Sequence, residues 1–135
     1  MLAHRRPSVN VGRLRKVMTA TPREIARKVD AMWNDPAERE RVLAALQEYG
    51  QETYEREVER VRLAILKLCD ARVDRVAEIV GAAKRDYRDV LMWAEYPGEG
   101  QALWALRSDL SEEERLRLEE LRRQDRQQYL DWLTR

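Results

Sequence analysis

Apolar residues recur along the chain at helical spacing rather than in alternation. Ile25, Val29, Met32 and Trp33 fall three or four positions apart or side by side, which lines one face of an α-helix. Val42, Leu43, Leu46 and Tyr49 make a second face. A third runs through Tyr54, Val58, Val61, Ile65 and Leu68, with spacings of 4, 3, 4 and 3 that match an a/d seam. Leu63, Leu66 and Cys69 widen that seam, so this helix is expected to be buried on more than one side. Val73, Val76, Ala77, Val80, Ala83, Tyr87, Val90, Leu91 and Ala94 carry the period on to residue 95. That stretch predicts one rod of roughly 36 Å at about 1.5 Å per residue. No segment alternates long enough for a strand, and no internal repeat is present.

Start and stop signals divide the pattern. Thr21-Pro22-Arg23-Glu24 has an N-cap residue, a proline at the first helical position and an acid at the third. Asp35-Pro36-Ala37-Glu38 repeats this chemistry 14 positions later, and Ser111-Glu112-Glu113-Glu114 opens the last helix. Gly50 bends or breaks the second helix, and Asp70-Ala71 leaves little room for a loop. Tyr96-Pro97-Gly98-Glu99-Gly100 is expected to be a loop, with two helical turns from Gln101 to Arg107 after it. The last helix is apolar at Leu116, Leu118 and Leu121, and again at Tyr129, Leu130, Trp132 and Leu133. Arg122 to Gln128 has no apolar residue and is expected to be solvated. The predicted fold is all-α: a small helical bundle on a long antiparallel hairpin over about 51–95, with the C-terminal helix docked on it.

Charge changes the picture at one end. The 135 residues carry 26 Lys+Arg against 25 Asp+Glu, a net charge of +1. Residues 1–28 hold eight basic residues and one acid, and residues 29–135 hold 18 basic and 24 acidic ones. A basic arm on an acidic body points to nucleic acid. Met18, directly before the Thr21 cap, also reads as a start; beginning there removes five basic residues and leaves a net charge of −4. Residues 1–17 have no amphipathic period and are expected to be a disordered arm, with 18–135 a single helical domain. The longest apolar runs, for example Val42 to Leu46 and Val90 to Ala94, are five residues, against the roughly 20 a membrane span needs. With one cysteine and no signal peptide, the expected location is cytoplasmic.

Little catalytic chemistry is visible. His4 is the only histidine and Cys69 the only cysteine, which leaves no zinc set, no Glu-x-x-His pair and no His-assisted nucleophile. Glu52, Glu55 and Glu59 form one acidic row and Asp70, Asp74 and Glu78 another. Both are interleaved with Arg56, Arg60, Arg72 and Arg75, as on a solvated face. No Gly-rich phosphate loop follows a strand. Residues 25–46 fit a helix-turn-helix frame only with a recognition helix that begins with acids. No cofactor, metal or small-molecule substrate is expected, and no enzymatic activity.

The aromatic residues stand out. Trp93, Trp104 and Trp132, with Tyr87, Tyr96 and Tyr129, gather near the chain's end. They read either as a satellite core pinning the last helix or as a partner surface of Trp93, Tyr96, Trp104, Tyr129 and Trp132, since Trp and Tyr dominate binding hot spots.

Arg60-Val61-Arg62-Leu63-Ala64-Ile65-Leu66-Lys67-Leu68, then Ala83-Lys84-Arg85-Asp86-Tyr87-Arg88-Asp89-Val90-Leu91 and Ala94-Glu95-Tyr96-Pro97, resemble a group of small uncharacterised bacterial helical proteins over about residues 20–97. The resemblance implies a helical fold and a start near the Thr21 cap, and it brings no activity or site residue. The expected function is non-catalytic, through protein–protein contacts or self-association. The alternative is a weak nucleic-acid-binding accessory protein that uses the basic arm.

Overall fold

The computed structural model describes residues 20–105 and 109–135, without the side chains of residues 104 and 105. The arm 1–17 and Met18 lie outside these. Among the described residues there are seven helices and no strand. They are α1 Pro22–Met32, α2 Pro36–Gln47, α3 Val58–Leu68, α4 Val73–Arg85, α5 Tyr87–Glu95, α6 Pro97–Ala105 and α7 Glu112–Thr134. The protein is an all-α bundle. Its centre is α3, which packs against α1, α4 and α5 and buries Val61, Leu63, Ala64, Ile65 and Leu66 at 1% exposure or less.

Side-chain oxygens open the helices where the caps are written. Thr21 Oγ1 accepts the Glu24 amide at 3.2 Å, and Asp35 Oδ1 accepts the Ala37 amide at 3.0 Å. Ser111 and Glu114 form the complete reciprocal box. The chain leaves α2 through Gly50 at φ 110°, where a Cβ would stand 2.7 Å from Val58 Cγ1. Only glycine suits that backbone at that distance.

The expected 51–95 hairpin is more broken than its periodicity suggests. Residues 51–57 form turns, so α3 begins at Val58 and Tyr54 is 68% exposed instead of sitting on the seam. Glu57 (φ 55°) enters α3 from the left-handed region. The reversal after α3 passes through Asp70 and Ala71, both left-handed at φ 53° and 58°, which lets two residues turn the chain. The single 73–95 rod is two helices divided at Asp86. This residue caps the end of α4, and its carboxylate accepts the Arg88 amide at 3.1 Å to start α5. The apolar stripe survives the break, because Val76, Val80, Ala83, Val90 and Ala94 all stay buried.

Two expectations at the C-terminal end are corrected. The 96–100 segment is not a loop, since Pro97 occupies the first position of α6 and the helix runs through both glycines. The Arg122–Gln128 stretch is not uniformly solvated, because Asp125 is 5% exposed. One fact explains both. Asp125 Oδ1 and Oδ2 accept the amides of Gly98 and Glu99 at 2.9 and 2.8 Å, supplying from α7 the cap that α6 lacks in its own sequence.

Candidate functional site

The aromatic residues expected to act together are divided between core and surface. Tyr129 is buried, and its ring centroid lies 5.7 Å from that of half-buried Trp132. Burial, with the Glu95 charge adding to it and Arg60 opposing, pushes the Tyr129 phenol upward. Lys28 Nζ stands 4.3 Å from the Trp132 ring centroid and also donates to the Trp132 carbonyl. Arg27 Nη2 donates to the Leu133 carbonyl at 2.6 Å. A helix ends with unpaired carbonyls and partial negative charge, so these two α1 cations close α7. Burial, together with the charges of Arg27 and Arg135, lowers the Lys28 pKa. Trp132, with Lys28 and Arg27, therefore fastens the end of α7 to α1, and Tyr129 lies buried beside it.

Trp93 has the opposite environment. It is 49% exposed on α5, whose Val90, Leu91 and Ala94 are buried. With Met92, Pro97, Gly100 and Gln101 it lines a groove of about 300 Å³ at the α5–α6 corner. Tyr96, half-buried, forms the corner itself. Trp104 lies in α6, and its side chain is outside the described residues.

Three buried acids hold this corner. Glu95, 2% exposed, accepts both arms of Arg60: Nε at 2.9 Å and Nη2 at 2.6 Å. Glu99 Oε2 accepts Arg122 Nε at 2.8 Å, with Nη2 2.6 Å away, and Asp125 caps α6. Such forked, charge-assisted bonds fix geometry as well as adding energy. Sequence reasoning missed all three acids. Their partners lie 35, 23 and 27 positions away, beyond any local motif.

A second concavity, of about 390 Å³, opens between the 50–57 turn and the Asp86 break. Glu55, expected in a solvated acidic row, is 6% exposed beneath the turn. Its Oε1 accepts the amides of Gly50, Gln51 and Glu52 at 2.8, 3.0 and 3.2 Å, and its Oε2 accepts Lys84 Nζ at 3.0 Å. Burial alone would raise its pKa. The Lys84 hydrogen bond and the amides outweigh burial and hold it at about 2. Behind it, burial and the Glu55 charge push the Tyr49 phenol up to about 12, although its hydroxyl donates to the Arg56 carbonyl at 2.7 Å.

No group of three His, Cys, Asp or Glu among the described residues could hold a metal. Cys69 is fully buried, and burial raises its thiol pKa. No described helix is long and apolar enough to cross a membrane. Comparison with protein-family models, with curated proteins and with solved structures finds no match.

Proposed function

We propose that the protein is a non-catalytic interaction protein that meets another protein chain, its own copy included, at the Trp93 groove. The supporting observation is the combination at this corner: a half-exposed tryptophan lining a concave site whose walls are braced by Glu95, Glu99 and Asp125. Tryptophan is the residue type most enriched at the centre of interfaces, and a braced site loses little entropy on binding. Leu103, on α6, is 50% exposed and extends the apolar surface of that helix. The nucleic-acid alternative depends on residues 1–17, which lie outside the described structure. A cytoplasmic location and membership of the small bacterial helical group belong to the same proposal.

Site-specific photocrosslinking tests it in the native cell. A crosslinker at position 93 should give a discrete protein adduct, while one at Glu78, exposed on α4, should not. Light scattering on the purified chain then separates a second copy from a different protein. Equal labelling from positions 93 and 78 would overturn the proposal.

A further inference from the structure

Two places where the chain breaks a helix that its apolar period predicts meet in space. One is the 50–57 turn, bracketed by Gly50 at φ 110° and Glu57 at φ 55°. The other is the break at Asp86. Together they form the walls of the 390 Å³ cleft. Departures from a sequence's own pattern concentrate where function requires a particular geometry. We propose that this cleft binds a small phosphorylated ligand carrying a flat ring, of the nucleoside phosphate class.

The turn is held from inside by Glu55, and what it presents outward is exposed. Tyr54 is 68% exposed, and Arg56 beside it is exposed as well. Across the cleft stand Lys84, Arg85 and Arg88. Four cations thus line a cleft that contains two carboxylates, Glu55 and Asp86. Both carboxylates are engaged, Glu55 by Lys84 and backbone amides, Asp86 by Arg88 through side chain and backbone. Arg56 and Arg85 form no ion pair among the described residues. From Met18 onward the chain has a net charge of −4, so a cation-lined cleft is a local exception that draws anions.

Size and chemistry select the ligand. The cleft falls within the roughly 300–1,000 Å³ typical of small-molecule sites, which favours a compact ligand over a protein segment. Free guanidinium forks match phosphate oxygens two at a time. An outward tyrosine ring at the same mouth offers a stacking face to a base. No lining residue is shared with the Trp93 groove, so this inference stands apart from the protein-contact proposal.

Calorimetric titration of the full chain with ADP, adenosine and inorganic phosphate tests it. ADP should bind, with adenosine and phosphate each at least about tenfold weaker, because each retains only half of the contacts. Arg56→Ala and Arg85→Ala should each weaken ADP by roughly tenfold or more, and Tyr54→Ala by roughly fivefold or more. All three residues are exposed, so melting temperatures should not move. Trp93→Ala should bind ADP like the parent. Absence of ADP binding at millimolar concentration, phosphate binding as tightly as ADP, or unaltered affinity in both arginine variants would overturn the proposal.

Discussion

Asp125 Oδ1 accepts the amide hydrogen of Gly98 at 2.9 Å, linking the middle of α7 to the first turn of α6 across 27 positions of chain. A Cβ added to Gly98 would stand 2.9 Å from that same oxygen. The glycine is therefore matched to the aspartate: the amide is reachable because nothing projects between them. Residue 96 is a tyrosine and has no oxygen able to cap α6 locally, so α6 depends on α7 for its start.

That dependence gives a coupled prediction. Asp125→Ala leaves the buried Glu99 amide and the part-buried Gly98 amide without acceptors, at a cost of about 1–3 kcal/mol, or a fall of several degrees in melting temperature. Gly98→Ala should cost a similar amount in the parent, because its methyl displaces the carboxylate. In the Asp125→Ala background the same substitution should cost much less, since the obstructing oxygen is gone. Thermal melts of the four proteins check this double-mutant cycle, and strictly additive effects would contradict the matched pair.

Glu55 sets a pH dependence. Its folded pKa is about 2, below the 4.5 of a free glutamate. The folded state thus favours the ionised form, and the stabilisation is fully present above about pH 4.5 and disappears as pH falls towards 2. Glu55→Gln should melt several degrees lower at pH 7, because it weakens the turn and releases Lys84. It should also show a shallower loss of stability between pH 5 and 2.5 than the parent. Parallel curves for the two proteins would rule out the clasp as a contributor.

How much of this was legible in the sequence depends on the range of the interaction. The all-helical class, the caps at Thr21, Asp35 and Ser111 and the buried α3 stripe are local or periodic, and side-chain spacing reveals them. The break at Asp86 also had a local signal. Asp86 followed by Asp89 places a capping residue and a first-turn acid in the manner of an N-terminus. An unbroken apolar period concealed it, because the stripe keeps its phase on both sides. The buried Glu55 and Glu95 and the division of the aromatic residues have no readable local signal, and the α6 start has only Pro97 at its first position, without a local capping side chain. Glu95 is decided by Arg60, 35 positions away, and Glu55 by Lys84, 29 positions away, together with the amides of its own turn. The Trp93 groove is half legible, in that the tryptophan stands out in the sequence while its walls read as a loop.

Cys69 should be chemically silent in the folded protein. It is fully buried after α3, its Sγ lies 3.1 Å from the Leu66 carbonyl, and burial raises its pKa. Thiol reagents attack the thiolate, so labelling at neutral pH should wait for unfolding and become fast in denaturant. Labelling of the native protein at the rate of a free peptide thiol would contradict this burial.

Trp93 and Trp132 should respond oppositely to truncation, and the contrast separates a fastening residue from a surface one. Trp132 stacks near Tyr129, lies under the Lys28 ammonium and belongs to the turn whose carbonyls Lys28 and Arg27 close. Removing its ring deletes packing and a cation–π contact worth about 0.5–2 kcal/mol. The total for this half-buried site should be about 2–3 kcal/mol, below the roughly 3–5 typical of fully buried aromatic truncations. Lys28→Met keeps the apolar stem but leaves the Trp132 carbonyl without its donor, and should cost about 1–3 kcal/mol. Combined with Trp132→Ala it should cost less than the sum, because both variants break the same contact. Trp93→Ala removes a ring already half in water and without a cation or carbonyl contact among the described residues, and should cost about 1 kcal/mol, clearly less than Trp132→Ala. Hydrogen exchange gives a local reading of the same contrast. Amides of residues 129–134 should lose protection in Trp132→Ala and keep it in Trp93→Ala. A large stability loss from Trp93→Ala would show that its ring supports the core, and the groove would then lose its claim as a binding surface.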